Sequence, residues 1–352
     1  MARSVSIRTG ARLHFGLLTN RPVRGREFGG IGLLVSEPGW HLEAEAAATN
    51  TIEVSELAAR TNPETEQRVA DFVARYRESS AIEHCPLRIR VEAAIPGHQG
   101  LGSGTQLALT VAKALAVLSD DDAPAIDLAR RINRGRRSAI GIWGFEHGGF
   151  LVDGGKRSGE GIGELVARID IPADWRFLLV TPACEIGLSG ADEIAAFGSL
   201  PVMSEATTGR LCQMVLMNLL PALAQANFDE FASALFEYGR LVGEYFEPIQ
   251  GGVFASQQVR ELAGRLSDLG LPLPVQTSWG PTCAIPCRSD DEAQSLADQI
   301  AELPRMSSLR QLIVAPLNQP ASVQFAVTPQ RPDGRPLGSR SIVTDVDGVS
   351  GL

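Results

Sequence analysis

IPGHQGLGSGTQLALTVAKALAVL, residues 95–118, packs four glycines into eight positions and then runs into a largely apolar helical stretch. Upstream, PLRIRVEAAIP alternates Leu87, Ile89 and Val91 as a half-buried strand. Downstream, Leu107, Val111, Leu115 and Leu118 give a helix from about Gly104 to Leu118 a core-facing stripe. The order strand, glycine loop, helix is an anion cradle. Glycine leaves backbone N–H groups open to a ligand, and the helix start adds unpaired donors and about half a positive charge. Gly100, Gly102, Ser103, Gly104 and Thr105 are the candidate phosphate contacts. Charge-assisted bonds contribute about 1.5–3 kcal/mol each, so three or four hold a diphosphate. A tight turn that needs glycine for packing is the structural alternative. Neither G-x-x-x-x-G-K-[ST] nor G-x-G-x-x-G with its acidic partner occurs.

Outward from that loop, the chain of 352 residues is long enough for two domains. Strands are expected at 4–9 and 31–46, a helix at 66–77 and another at 124–134. The glycine-rich stretch 138–155 is expected to return as strand. From 171 the pattern changes: a strand at 176–183, helices near 205–226, 228–245 and 255–269, a hairpin in PVQTSWGPTCAIPC, a helix at 290–302, and strands at 309–315 and 322–327. The expected fold is α+β, with an N-terminal domain over 1–170, a C-terminal domain over 171–328 and a flexible tail over 329–352.

Composition excludes several classes. A net charge of −9 argues against a general nucleic-acid binder, which needs a basic surface. No apolar run spans a membrane, and MARSVSIRTG lacks the apolar core of a signal peptide. Five cysteines form no paired framework, which suits reduced thiols in a cytoplasmic enzyme. The histidines show no zinc-hydrolase spacing, and no G-x-S-x-G elbow is present. The chain reads as a phosphate-handling enzyme without a dedicated nucleophile.

Further candidates cluster in three places. ARRINRGRRSAIG holds five arginines, of which Arg136 and Arg137 lie nearest the glycine-rich return and can clamp a phosphate or carboxylate; a solvated helix end is the alternative. In RSAIGIWGFEHGGFLVDGGK, Asp153 and Glu146 are candidate metal-side carboxylates and Lys156 a phosphate partner, although an Asp before two glycines also suits a plain turn. In QTSWGPTCA, Trp279 offers a stacking surface for an aromatic substrate, or simply sits in a Gly-Pro hairpin.

I-P-x-x-x-G-L-G-S-G resembles the second motif of the GHMP kinases, the superfamily of galactokinase, homoserine kinase and mevalonate kinase. ARLHFGLL at 11–18 looks like their first motif, and SAIGIWGFEHGG sits where they place a later glycine-rich segment. This resemblance covers about residues 4–328 and implies their two-domain fold, a ribosomal-protein-S5-like N-terminal domain with a ferredoxin-like α/β sandwich after it. Where those kinases carry a run of Gly and Ala, this chain has TSWGPT. That string, with RLHFGLL, FGGIGL, HQGLGSGTQLAL and FEHGGFLVDGG, is similar to one branch, the β-ribofuranosylaminobenzene 5′-phosphate synthases of tetrahydromethanopterin biosynthesis. The branch implies a decarboxylating phosphoribosyl transfer from phosphoribosyl diphosphate to 4-aminobenzoate or 4-hydroxybenzoate, with Mg²⁺ at the diphosphate and a homodimeric assembly. Asp153 or Glu146 would then hold the metal, and either Arg12 or an arginine of the 21–26 loop, such as Arg26, the aryl carboxylate. The alternatives are an ATP-dependent small-molecule kinase on the same scaffold and a non-catalytic phosphometabolite sensor.

Overall fold

The computed structural model describes residues 2–22, 24–79, 85–157, 159, 161–183, 185–187, 190–328 and 342–345. The first half runs β1 (Ala2–Gly16), β2 (Gly30–Ala46), β3 (Thr51–Val54), α1 (Glu56–Thr61), α2 (Thr65–Ser79), β4 (Leu87–Ala93), α3 (Ser103–Leu118), α4 (Ala125–Arg131), α5 (Ile140–His147), β5 (Phe150–Asp153) and β6 (Leu165–Ile169). The second half runs β7 (Arg176–Pro182), α6 (Gly190–Ser199), α7 (Glu205–Met214), a π-helical turn (Val215–Leu219), α8 (Leu220–Ala224) and α9 (Phe228–Gln250). It continues with α10 (Gln257–Asp268), β8 (Val275–Gln276), β9 (Cys283–Cys287), α11 (Asp290–Glu302), β10 (Leu309–Val314), β11 (Ser322–Thr328) and β12 (Ile342–Asp345).

Two sheets organise these elements into an α+β fold. One has the order β12-β11-β1-β2-β4-β3, with β5 and β6 continuing from β2; the other is β10-β7-β9-β8. The long strand β1 turns Val5, Ile7, Ala11, Leu13 and Phe15 to a buried face. Helix α3 lies against that face, and it is buried nearly all round rather than along one stripe, from Leu107 through Ala112 to Leu118. Its alanines admit β1 on one side and α2, α4 and α5 on the others. The second sheet packs Leu178, Val180 and Ile285 against Val259 and Leu262 of α10 and Leu296 and Ile300 of α11.

Three details differ from the pattern read in the sequence. The stretch 138–155 contains helix α5 before its strand. The helix expected over 205–226 is broken into two by the π-helical turn. Strand β11 leaves the second half and pairs antiparallel with β1, so residues 322–328 complete the first sheet. Of the segment expected as a flexible tail, Ile342–Asp345 pair with β11, and the remaining residues lie outside those described. Among the described residues, no helix is long and apolar enough to cross a membrane.

Candidate anion-binding site

Gly102 adopts a left-handed backbone, φ 71°, and caps α3 without any side-chain hydrogen bond. The Thr105 and Gln106 amides donate to the Gly102 carbonyl at 3.1 Å, which leaves those of Ser103 and Gly104 without an acceptor among the described residues. The space beside them belongs to arginines. A Cβ built on Gly102 would lie 2.9 Å from Arg12 Cβ and 3.2 Å from its Nε, and one on Gly104 would lie 2.4 Å from Arg68 Nη2 and 3.6 Å from Arg134 Nη2. The third and fourth glycines of the loop are thus the residues that let guanidinium groups lie against the backbone. Gly100 has a different reason. Its φ is +77°, and a Cβ there would meet the Thr277 carbonyl oxygen at 2.4 Å.

That approach stitches the two halves together at the loop. The Thr277 hydroxyl donates to the Gly100 carbonyl at 2.9 Å and accepts from the His14 amide at 3.0 Å. The Ser278 amide donates to the His14 carbonyl at 2.6 Å, and the Arg12 amide to Leu101 at 3.0 Å. The first motif, the glycine loop and the TSWGPT turn therefore meet at one point.

Arg12, Arg68 and Arg134 form no ion pair among the described residues, an uncommon condition for buried cations. Nε and Nη1 of Arg12 and Nε of Arg134 are buried with no hydrogen-bond partner. Burial pushes Arg12 down to about 10 against the pull of Glu193. Arg134 is likewise pushed down to about 10, by burial and then by its neighbours Arg68 and Arg75, with Glu193 opposing. Arg68 is lowered by burial, with Glu64 opposing. All stay cationic at neutral pH. Arg134 rests on the Phe72 ring, 5.0 Å from its centroid. Half-buried cations without an ion pair suit a site that receives an anion.

The predicted residues divide accordingly. Gly102 and Gly104 line the cradle with Arg12, and Thr105 sits beside it, its Cγ2 3.2 Å from a Cβ built on Gly141. Ser103 turns inward: its hydroxyl donates to Ile95 O at 3.2 Å and accepts from Asn62 Nδ2 at 3.1 Å. Only its amide is left for a ligand. Arg137 is paired to Glu193 at 2.8 Å and lies over the Phe197 ring. Arg136 is exposed and held by Asn133 at 3.0 Å. Trp279 is no open shelf. It is 4% exposed, stacked on Phe246 at 4.5 Å with Phe197 edge-on at 5.1 Å, and its Nε1 is buried without a partner.

The carboxylates expected to share Mg²⁺ are both otherwise engaged. Asp153 accepts from the Ala139 amide at 2.7 Å and the Gly155 amide at 2.8 Å, and so fixes the start of α5. Burial raises its pKa in spite of those bonds. Glu146 caps α4 through the Ala125 amide at 2.5 Å. Among the described residues, no group of three or more His, Cys, Asp and Glu can hold a metal ion. Arg26 and Lys156 fall in the neighbourhood of Asp153, where the Arg26 Nε donates to Gly155 O at 3.1 Å and the Lys156 Nζ to Gly161 O at 3.2 Å.

Sequence reasoning passed over Arg68, His14 and Glu193. His14 is buried with Nε2 unpartnered, and burial followed by Arg12 holds its pKa well below the ordinary imidazole value. Its place two residues after Arg12, inside the first motif, was the available signal. Arg68 and Glu193 carried none.

Fold and loop together define the class. Residues 66–149, from α2 through α5, match the GHMP kinases N terminal domain. The phosphomevalonate kinase of Streptococcus pneumoniae superposes with a TM-score of 0.64 at 14% identity, covering 89% of this chain and 99% of that one. This is a GHMP-kinase fold. Within it, a β-ribofuranosylphenol 5′-phosphate synthase of Archaeoglobus fulgidus is 31% identical over 264 residues, 70% of this chain and 80% of the relative. One of Methanothermobacter thermautotrophicus is 28% identical over 324 residues, 86% of this chain and 94% of the relative. The chain belongs to the β-ribofuranosylphenol 5′-phosphate synthase family of enzymes.

Proposed function

We propose that the protein condenses phosphoribosyl diphosphate with 4-hydroxybenzoate or 4-aminobenzoate, releasing CO₂ and diphosphate, in tetrahydromethanopterin biosynthesis. Its similarity to ribofuranosylphenol 5′-phosphate synthases favours the hydroxy acid. The observation that carries the reading is the set of unpaired arginines, Arg12, Arg68 and Arg134, against the glycine loop.

The chemistry asks for charge and position more than for a strong base. The ring carbon bearing the carboxylate bonds to ribose C1 as the C1–oxygen bond to diphosphate breaks and the leaving group takes the electron pair. The ring–carboxylate bond then breaks, CO₂ departs, and its electrons restore aromaticity. No ring proton is lost. Arg68, Arg134 and the first amides of α3 meet the charge growing on the diphosphate. Arg12, between the loop and the TSWGPT turn, holds the aryl carboxylate beside C1 and excludes its rotation away from the attack line. Mg²⁺ enters as the counter-ion of the diphosphate substrate, not as a group held by Asp153 and Glu146. No nucleic acid or membrane takes part.

The test is CO₂ release from carboxyl-labelled 4-hydroxybenzoate, and separately 4-aminobenzoate, with phosphoribosyl diphosphate or with ATP. Release with the ribosyl donor alone is expected. No release from either acid, with phosphate transfer from ATP instead, would replace the synthase reading by a kinase.

A further inference from the structure

We propose that His14 receives the far end of the aryl substrate: its Nε2 accepts a hydrogen bond from the 4-hydroxy or 4-amino group while Arg12 holds the carboxylate. This rests on the reading that the acceptor is a para-substituted benzoate bound at Arg12. The two side chains alternate with Leu13 and project from one face of β1, whose register with β2 is regular from Ala11 to His14. Two residues of strand separate them, about 6.5–7 Å between Cα atoms. One benzene ring with polar groups at opposite ends spans a gap of that order.

Among the described residues nothing claims the ring nitrogen. His14 is 6% exposed, and Nε2 is buried with no hydrogen-bond partner. Such an unpaired group costs about 1–3 kcal/mol, which a bound donor recovers. The β2 positions beside the ring carry no side chain. Gly32 is the residue paired with His14 across the strands, and a Cβ built on Gly30 would lie 2.9 Å from Nε2. The backbone behind the ring is held by the TSWGPT turn: the His14 amide donates to Thr277 Oγ1 at 3.0 Å, and its carbonyl accepts from the Ser278 amide at 2.6 Å. The glycines of FGGIGL thus leave the nitrogen clear, and the turn fixes the strand from which it projects. Burial and then Arg12 keep the ring neutral, so it has a nitrogen able to accept.

The reaction gives that contact work to do. The 4-position is para to the ring carbon that attacks ribose C1, so the positive charge left on the ring by the attack settles on the 4-oxygen or 4-nitrogen. The O–H or N–H there becomes a stronger donor as the new bond forms, and its hydrogen bond to Nε2 strengthens with it. When CO₂ leaves, its electron pair restores the ring, the charge vanishes and the proton stays with the substituent. A contact that tightens only as charge develops lowers the barrier as well as binding the ground state.

Titration calorimetry of 4-hydroxybenzoate and of benzoate on the full chain, with inorganic diphosphate present, tests the idea. The parent is expected to prefer 4-hydroxybenzoate by about tenfold, the effect of one hydrogen bond. His14→Leu, which removes the acceptor at similar volume, should abolish that preference and leave benzoate binding unchanged. His14→Gln, which keeps an acceptor, should retain part of it. In turnover the Leu variant is expected to lose kcat by more than KM rises. Equal binding of the two acids by the parent overturns the proposal without recourse to any variant. A preference that survives intact in His14→Leu also overturns it, and the synthase reading then stands. If 4-hydroxybenzoate binds none of the proteins, the reading of the aryl site fails, and this proposal with it.

Discussion

Arg68 Nη2 occupies the space that a side chain on Gly104 would fill, 2.4 Å from an ideal Cβ. The glycine and the arginine are parts of one device. Gly104→Ala should push the guanidinium away from the loop at little cost to the fold, because the obstruction is the far end of a flexible side chain. Alanine inside the first turn of α3 even gains helix propensity, about 0.5–1 kcal/mol. Melting temperature is expected to hold or rise while diphosphate affinity falls. A variant with parental affinity would separate Arg68 from the site.

Arg68→Ala should remove one charge-assisted contact, about 1.5–3 kcal/mol, and so weaken diphosphate binding roughly ten- to a hundredfold. Calorimetry with diphosphate decides it. The aryl acid should bind as before, because Arg12 is untouched.

Gly100→Ala is expected to behave in the opposite way. Its obstruction is the Thr277 carbonyl oxygen at 2.4 Å, its φ is +77°, and neither can give. A cost of about 2–4 kcal/mol is expected from backbone strain and overpacking together. Thermal melts report it as a lowered midpoint. An unchanged midpoint would mean the two halves do not depend on this contact.

Asp153 should prove structural. Asp153→Ala strands two buried amides, those of Ala139 and Gly155, at about 1–3 kcal/mol each. In Asp153→Asn the Mg²⁺ concentration giving half-maximal rate is expected to stay at the parental value. A clear rise would return this carboxylate to the metal.

Stability should fall on mild acidification, in part through His14. Its ordinary value is 6.5 and its folded value lies well below that, because burial and then Arg12 disfavour the imidazolium. Below about pH 6.5 the unfolded chain takes up a proton that the native state refuses, so stability present above that pH is lost as pH falls. His41 and His147 are lowered as well and act in the same sense. Asp153, raised from 3.8, acts in the opposite sense, its contribution shrinking as pH rises past that value. Melting temperatures between about pH 7.5 and pH 5 should decline less steeply in His14→Gln than in the parent. Parallel curves would exclude His14 from the effect.

The strand–loop–helix unit at 87–118 could be read directly because its signals are local: period two in β4, glycines, then the apolar run of α3. Helix α5 was hidden because its glycines serve packing instead. A Cβ on Gly144 would lie 1.7 Å from Leu34 Cδ2, and one on Gly141 would crowd Thr105. Glycine weakens a helix locally, and here close approach overrides that preference. The site shows the same division. Gly102 and Gly104 announced an anion loop, whereas the cations that complete it come from β1, from α2 and from the chain after α4. Ser103 was misjudged because a hydroxyl in a phosphate-loop pattern gives no hint that Asn62, 41 positions earlier, will claim it from inside.

The pairing of β11 with β1 brings Ala2 opposite Thr328. Topologically the stretch Ala2–Thr328 is close to a ring, broken between neighbouring strands. A short linker from Thr328 to Ala2 would close it, and the chain could then be reopened at the exposed turn after α10, around Leu269. Such a circular permutant would keep the glycine loop and the arginines in place while moving β11 ahead of β1 in the order of synthesis. It would show whether the first sheet must wait for β11 before the cradle can form.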